Sequence, residues 1–216
     1  MTRAAPSRKK AAPVFAAVAA AALASACASA PPESFYTLNA GLRPRVDDVA
    51  RREGPRVSDP PLRALGVLVA PAAVPALVDR PQLVLRAGEN QVIWLEQQRW
   101  AEPLGAQMSR VVAEDLEALL AGWRIATRDE ALPAPECRVT LDVRRFEMSR
   151  AGPAVSDVLW RVACAGGFAR TGQLGSSEPV GYPIAGDALA PAVAAHARVL
   201  DRLSREIAQA LREAAP

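Results

Sequence analysis

The sequence predicts an α+β fold: a single domain with a mixed, largely antiparallel sheet and two long helices packed on one face of it. Apolar runs of strand length follow one another through the middle of the chain and are joined by short polar connections, as in hairpins. The segments 104–120 and 191–214 instead repeat apolar residues every three or four positions, as amphipathic helices do. Because the helices do not alternate strictly with the strands, we do not expect a doubly wound parallel sheet.

Residues 1–26 are predicted to be a lipoprotein-type signal peptide. A basic stretch precedes an alanine-rich apolar run at 11–23, which is too short to cross a bilayer as a helix. The sequence LASAC at 23–27 resembles a lipobox and predicts acylation of the Cys27 thiol, with 27–33 as a lipidated tether. Its leucine stands one position early, so ordinary signal peptidase cleavage to a soluble protein is the alternative. Ala28 is not the aspartate of inner-membrane retention, which favours the outer membrane.

The chain without this leader is close to electrically neutral. The full sequence has 26 basic and 23 acidic residues, a formal net charge of +3. Residues 1–26 contain no acid and four basic residues, which are Arg3, Arg8, Lys9 and Lys10. Removing them leaves a net charge of −1. Nucleic-acid binding usually requires a broad basic surface, so we expect no nucleic-acid partner.

The first elements of the predicted domain, 34–216, precede a hairpin. Residues 34–38 form a short strand next to the tether, and 62–69 form a strand that is apolar enough to be buried on both faces. Between them, 40–61 combines prolines with charged residues and has no apolar period, which predicts a mobile loop. The alternative for this loop is a partner-docking role.

A β-hairpin and a helix are expected to form the centre of the domain. The apolar runs Leu83–Leu85 and Val92–Leu95 flank the polar connection 86–91, which is typical of a hairpin. The helix at 104–120 follows, and Gly122 provides its end. Its predicted buried face contains Met108, Val111, Val112, Leu116, Leu119 and Leu120.

The remaining elements are a short strand, a second hairpin and the last helix. We expect strands at 123–126, 137–148 and 154–165, with a further strand at 168–174. In 137–148 the residues expected to share one face are Val139, Leu141, Val143 and, as a candidate fourth member, Arg145. The predicted buried face of the helix at 191–214 contains Val193, Leu200, Leu203, Ile207 and Leu211.

The second hairpin predicts a disulfide between Cys137 and Cys164. The two cysteines are equidistant from the Arg150–Ala151 bond, which lies in the expected turn at 149–153. Strands paired in that register place the cysteines opposite each other, close to disulfide distance. A buried pair of free thiols is the alternative, and a slip of one residue would separate them. Two cysteines and one distant histidine do not make a structural zinc site, so no metal is expected.

The sequence contains no recognisable catalytic motif. A nucleophile elbow, a phosphate-binding loop and a dinucleotide fingerprint are all missing from it. The single histidine, His196, lies on or beside the apolar face of the last helix, where a packing role is expected rather than a catalytic one. The sequence therefore predicts a protein that is not an enzyme and needs no cofactor beyond its acyl anchor.

Charged and aromatic residues gather where the first hairpin meets the first helix. Ion pairs that join Arg80 or Arg99 to Glu102 or Glu96 are expected to hold this junction together. Trp94 lies in an apolar strand and is expected in the core. Trp100 either locks the helix to the sheet or lines a surface that contacts another protein.

This junction also carries a family resemblance. The order D-R-P-Q at 79–82, a Gly/Asn turn, and R-W-A-E-P-L at 99–104 is similar to the PqiC/YmbA group of ABC-type transport auxiliary lipoproteins. A weaker similarity extends from about residue 35 to the C-terminus, without the loop at 43–61. The motif residues, with a structural or partner-contact role, are Asp79, Arg80, Pro81, Arg99, Trp100, Glu102 and Pro103.

The resemblance implies a lipoprotein on the periplasmic face of the outer membrane. It would dock an MCE-domain protein of an ABC lipid-transport system and so aid phospholipid transfer between the membranes. It also leaves open a homo-oligomeric ring. Two alternatives remain at this point: a lipid carrier with its own apolar cavity, and a structural envelope lipoprotein without a transport role.

Overall fold

The structure is a computed structural model that describes residues 32–39, 64–149, 152–180 and 189–215. Several sequence predictions therefore lie outside the described residues. These are the signal peptide, acylation of Cys27, the mobile loop at 40–61 and the centre of the turn at Arg150–Ala151.

The described residues form eight strands and two long helices. In chain order these are β1 (Ser34–Tyr36), β2 (Gly66–Val69), β3 (Gln82–Arg86), β4 (Val92–Trp100), α1 (Leu104–Leu119), β5 (Arg124–Ala126), β6 (Cys137–Ser149), β7 (Ala154–Cys164), β8 (Ala169–Glu178) and α2 (Ala190–Ala214). A short 3-10 turn, Asp129–Ala131, lies between β5 and β6. The strands join one mixed sheet, and the predicted α+β class is confirmed.

Strand β6 organises the sheet. One of its edges pairs with β7 in antiparallel fashion, and β7 pairs in the same way with β8. Along its other edge β6 pairs in parallel with β2 near its start and with β3 near its end. The branch from β2 continues to β5, and the branch from β3 continues to β4 and β1. The two branches therefore separate at one long central strand.

Strand β2 is buried along its whole length, as its apolar sequence predicts. It has parallel neighbours on both edges, β5 and β6, and α1 packs against it. Parallel strands in this position are covered on both faces, which requires a continuous apolar run. The strand begins at Gly66, where an added β-carbon would lie 2.5 Å from a carboxylate oxygen of Glu136.

The face of β6 that points into the core changes at an irregularity between Val143 and Arg145. Up to Val143 the side chains alternate as predicted. Arg145, the candidate fourth member of the buried face, is instead exposed, and Phe146 and Met148 are buried. The prediction for Arg145 is therefore wrong, because an irregularity of this kind shifts the alternation by one residue.

The predicted register of the second hairpin is confirmed at the cysteines. Cys137 lies opposite Cys164 in the β6–β7 ladder. The two residues are joined by a disulfide with 2.03 Å between the sulfur atoms. Cys137 is buried in the core and Cys164 is partly buried against it. The disulfide therefore closes the end of the hairpin that lies away from its turn.

Both helices bury the faces that their apolar periods predict. The two helices pack against each other, and α2 also packs against β6, β7 and β8. Polar contacts also join the helices: the hydroxyl of buried Ser204 donates to a carboxylate oxygen of Asp115 at 3.1 Å, and the guanidinium of Arg212 donates to the carbonyl of Leu119 at 2.8 Å. The core is therefore one mainly aliphatic cluster between the helices and the sheet, with Trp100, Phe146 and Trp160 as its aromatic members.

His196 of α2 has the packing role that its sequence position predicts. Its ring is fully buried and stacks on Phe146, with 3.8 Å between the ring centroids. Its Nδ1 lies 2.8 Å from the hydroxyl oxygen of Ser156. Burial lowers the pKa of His196 from 6.5 to about 3. The imidazole is therefore neutral at physiological pH and closed off from solvent.

Candidate functional site

The residues of the sequence motif form one surface groove of about 400 Å³. Its lining residues come from two segments, one just before β3 and one at the β4–α1 junction. They are Asp79, Arg80, Pro81, Trp100, Ala101, Glu102 and Pro103. Six of the seven motif residues thus come together although the two segments lie about twenty positions apart. We call this site the motif groove.

The antiparallel pairing of β3 and β4 explains why these segments meet. The start of β3 lies beside the end of β4, where Gln82 is opposite Arg99. Beyond this pair, the backbone N–H of Trp100 donates to the carbonyl of Pro81 at 2.7 Å. The next backbone N–H, of Ala101, donates to the carbonyl of Tyr36 in β1 at 2.8 Å. The groove is therefore fixed to three strands by main-chain hydrogen bonds.

Trp100 forms the buried wall of the motif groove. Its side chain is 5% exposed and belongs to the core cluster. Its ring lies 6.1 Å from that of Phe146 in β6, at an interplanar angle of 57°. This tilted geometry is common for aromatic pairs in protein cores. Trp100 therefore fixes the end of β4 to the sheet and also faces the groove.

Trp94 is not in the core, so its sequence prediction is wrong. Half of its side chain is exposed. It lies opposite Val84, on the face of the hairpin away from Leu83 and Leu85, which are buried in the core. The guanidinium carbon of Arg80 lies 4.0 Å from the centroid of the Trp94 ring. We call these two side chains the Arg80–Trp94 pair; Arg80 also lines the motif groove.

The expected ion pairs at the junction are wrong. Arg99 pairs with Glu33 at 3.2 Å, and Glu102 pairs with Arg110 of α1 at 3.2 Å. Glu96 instead accepts a hydrogen bond from the side-chain amide of Gln82 at 3.2 Å. These partners are distant in sequence or lie on the next helix turns, so spacing along the chain did not indicate them. Arg99 is the one motif residue that does not line the groove.

The guanidinium group of Arg80 lies over the ring of Trp94. Within the described parts of the chain, its guanidinium forms no salt bridge with a carboxylate, and its Nε is buried without a hydrogen-bond partner. Asp79 also forms no ion pair there. An arginine stacked on a half-exposed tryptophan offers a cation and an aromatic ring to a binding partner.

Buried polar residues of α1 hold the helix start behind the groove. The carbonyl oxygen of the Gln107 side chain accepts a hydrogen bond from the backbone N–H of Leu38. The Ser109 hydroxyl donates to the carbonyl of Ala70 and accepts from the N–H of Ala72, at 2.8 and 2.9 Å. Gly105 allows the close approach of the Ala72 carbonyl. Gln107 and Ser109 were not among the predicted site residues, although polar residues on an apolar helix face are a visible signal.

In residues 32–39, 64–149, 152–180 and 189–215, no cluster of three His, Cys, Asp or Glu side chains could hold a metal ion. Neither of the two helices described is long and apolar enough to cross a membrane.

Comparisons with known proteins agree with this fold. No curated protein matches the chain. In a crystal structure of an uncharacterised protein, 98% of that chain matches 83% of this one, with 20% identity and a TM-score of 0.57. In a crystal structure of a protein from Xanthomonas campestris, 92% of that chain matches 81% of this one, with 17% identity and a TM-score of 0.58. At these identities the likeness shows a shared fold.

The family comparison covers most of the chain. The model of the ABC-type transport auxiliary lipoprotein component family matches residues 48–208, which include the motif groove, the Arg80–Trp94 pair, all of α1 and most of α2. The match covers well over half of the sequence. The chain therefore belongs to the family of ABC-type transport auxiliary lipoprotein components.

Proposed function

We propose that this protein is the docking subunit of an MCE-type ABC lipid-transport system, anchored on the periplasmic face of the outer membrane. Family membership supports an auxiliary role in ABC-type transport. The observation that carries the docking role is the position of the motif residues, six of which line a groove on the protein surface. Residues needed for stability alone would be expected inside the core rather than around a groove.

The chemistry of this surface is that of a protein-binding site. Tryptophan and arginine are the residue types most enriched among those that dominate binding energy, and Trp94 and Arg80 lie in contact here. The pair is held in one arrangement before binding, so little side-chain entropy is lost when a partner arrives. Pro81 and Pro103 add rigid apolar walls to the groove.

The anchor in this proposal is an acyl lipid on Cys27. The tether at 27–33 spans at most about 25 Å when fully extended, which would keep the domain close to the bilayer. Multiple acyl chains bind a membrane far more strongly than a single chain. Incorporation of radiolabelled palmitate into the full-length protein, and its loss in Cys27→Ala, would support this anchor. A labelled Cys27→Ala protein would contradict it.

The size of the grooves favours docking over lipid carriage. Three grooves formed by the described residues, the motif groove among them, hold about 400, 390 and 370 Å³. This is near the lower end for sites that enclose a drug-sized ligand, and a phospholipid with two acyl chains is larger. The described core is filled by the side chains of the helices and sheet. The carrier alternative therefore has less support than the docking role.

A homo-oligomeric ring around the tip of an MCE assembly is part of the proposal that rests on the family resemblance. A ring requires a heterologous interface, in which different surfaces of neighbouring copies meet. Several copies would each present one motif groove to the partner, and repeated weak contacts would add to a stable complex.

The docking role is tested by mild cross-linking of the tagged, full-length protein in its native membranes, followed by purification and mass spectrometry. The expected dominant partner is an MCE-domain protein. The matched control is Arg80→Ala/Trp94→Ala, which should be recovered in equal amount without this partner. Good recovery of the unaltered protein without an MCE-domain protein would overturn the proposal, and lipid bound to it would favour the carrier alternative.

A further inference from the structure

Strand β8 presents an unusually long, regular sheet edge. It pairs with β7 through ten consecutive residue pairs without an irregularity. Its other edge pairs with no strand in the part of the chain that the structure describes. The other outermost strands, β1 and β5, have three residues each. A sheet edge of ten residues offers a row of unpaired backbone donors and acceptors to another strand.

This edge lacks the features that usually protect exposed strands. It contains no proline and no bulge, and its charged residues, Arg170 and Glu178, lie near its two ends. The stretch between them, T-G-Q-L-G-S-S, is uncharged. Natural sheets normally place charges, proline or irregularities along such an edge to prevent pairing with another chain. A long edge without them indicates a surface that is used for pairing.

We propose that β8 pairs in antiparallel fashion with β8 of a second copy, so that two sheets become one. In an antiparallel ladder, two opposed residues either both point their backbone N–H and C=O groups toward the partner strand or both point them away. These directions alternate along a strand, so a residue of one copy can oppose only itself or a residue an even number of positions away in the other copy. A symmetric ladder is therefore centred on a residue and not on a peptide bond. The two registers with the greatest overlap are centred on Gln173 and on Leu174. The register centred on Leu174 places Arg170 of each copy opposite Glu178 of the other.

Charge matching at both ends favours the Leu174 register. Arg170 and Glu178 lie on the same face of β8, since they are an even number of residues apart. Within one copy they already contact α2, Arg170 with Glu213 and Glu178 with Arg202. Arg170 is exposed and Glu178 is already paired with Arg202, so their added contact selects the register while backbone hydrogen bonds supply most of the affinity. At the centre, two half-buried Leu174 side chains would cover each other.

The helices leave room for this pairing. Helix α2 packs mainly against β7 and less against β8. In the joined sheet the two β7 strands would be three strand spacings apart, about 14 Å. Packed helices need about 8–10 Å between their axes, so the two α2 helices fit side by side. This isologous pair closes on itself and is therefore a different association from a ring.

Cysteine cross-linking of the full-length protein in native membranes tests the register. Thr171 and Ser177 are exposed, and the Leu174 register places them opposite each other across the axis. Thr171→Cys/Ser177→Cys should give a dimer under mild oxidation, and Thr171→Cys alone should not. The matched control is Thr171→Cys/Gly175→Cys, which reports the register centred on Gln173; Gly175 has free space for a side chain. Dimers in this control alone would overturn the Leu174 register.

Lysines on the same edge test the interface without cysteines. Thr171→Lys/Gln173→Lys should convert a dimer to a monomer in detergent, measured by light scattering, without a change in melting temperature. Thr140→Lys, an exposed residue on central strand β6, should leave the dimer intact. A monomeric unaltered protein that forms no disulfide cross-link would overturn the proposal. A cross-link from β8 to a different protein would also overturn it and would assign the edge to that protein.

Discussion

The guanidinium carbon of Arg80 lies 4.0 Å from the centroid of the Trp94 ring, on a hairpin face where half of Trp94 is exposed. The cation is held by the ring rather than by a carboxylate among the described residues. Such contacts at exposed sites contribute about 0.5–1 kcal/mol and strengthen when water is removed. A partner that covers this pair would therefore strengthen it on binding. The pair links the exposed tryptophan to the motif groove, which Arg80 also lines.

The two tryptophans of β4 should respond differently to substitution. Trp94→Ala should change the free energy of unfolding by less than about 1 kcal/mol, because the ring is half exposed. Trp100→Ala should cost about 3–5 kcal/mol, because it removes a buried ring packed near Phe146. Urea unfolding of both variants measures these changes. A larger loss for Trp94→Ala than for Trp100→Ala would contradict the assigned environments.

Trp94→Ala should affect binding of the partner far more than it affects stability. If Trp94 dominates docking, its loss should reduce recovery of the MCE-domain partner by at least tenfold, since such residues contribute about 2 kcal/mol or more. Quantitative mass spectrometry of cross-linked complexes measures this ratio, at equal recovery of the tagged protein. Unchanged recovery with Trp94→Ala would remove Trp94 from the docking surface.

Stability should fall as the pH decreases from 8 to 5 because of His196. Its pKa is 6.5 when unfolded and about 3 when folded, so the unfolded chain takes up the proton first. The stabilisation is complete above pH 6.5 and is lost progressively toward pH 3. Between pH 8 and 5 the loss should be about 2 kcal/mol.

The control for this pH dependence is His196→Gln, whose amide does not titrate and can still hydrogen-bond to Ser156. Its unfolding free energy should be nearly constant between pH 8 and 5. The pKa values of Glu147 and Glu178 are lowered chiefly by hydrogen bonds from Arg86 and Arg202. Their stabilising effect is therefore lost below about pH 4.5, outside this range. Equal pH slopes for the two proteins would argue against a buried neutral histidine.

The disulfide should contribute strongly to stability. Cys137 and Cys164 are 27 residues apart, and a loop of that length predicts a loss of about 3–4 kcal/mol on the loop-entropy account. Guanidinium unfolding of Cys137→Ala/Cys164→Ala, compared with the oxidised protein, measures this loss. The unaltered protein under reducing conditions is the matched control. A difference below about 1 kcal/mol would indicate that the cross-link does not restrict the unfolded chain.

Gly105 should not tolerate a methyl group. An added β-carbon would lie 2.5 Å from the backbone oxygen of Ala72, which is too close for any real contact. Glycine to alanine in an open helix position stabilises by up to about 1 kcal/mol, but Gly105→Ala should instead destabilise by about 1–3 kcal/mol. Gly175→Ala, where space is free, should have little effect. Thermal unfolding of both variants measures these changes in stability. A Gly105→Ala protein that is more stable than the unaltered protein would contradict the close packing of α1 against Ala72.

Local pattern predicted much of the fold. The repeat of apolar residues every three or four positions predicted both helices and their buried faces. The equal spacing of Cys137 and Cys164 from the expected turn predicted the correct pairing of β6 with β7. These features depend on residues close in sequence or on one turn. The alternation failed at Arg145, because an irregularity in β6 shifts the buried positions by one residue. The sequence signal of this shift is the pair of adjacent arginines at 144–145, after which the apolar positions resume at Phe146 and Met148.

The site was predicted less completely. The motif residues were identified and six of them meet, but their ion pairs were not, since Arg99 pairs with Glu33 and Glu102 with Arg110. Trp94 was assigned to the core because its neighbours are apolar. The position of the β3–β4 hairpin in the branched sheet determines which of its faces is covered. That position depends on contacts between residues far apart in the sequence, so the local pattern around Trp94 does not reveal it.

The most direct test of the docking role is photo-cross-linking from Trp94. Benzoylphenylalanine replaces Trp94 in the full-length protein in living cells, and Arg161, exposed on β7, is the matched control position. Ultraviolet irradiation should join an MCE-domain protein to position 94 and not to position 161. The absence of this product at position 94, with both proteins present at normal levels, would contradict docking through the Arg80–Trp94 pair and the motif groove.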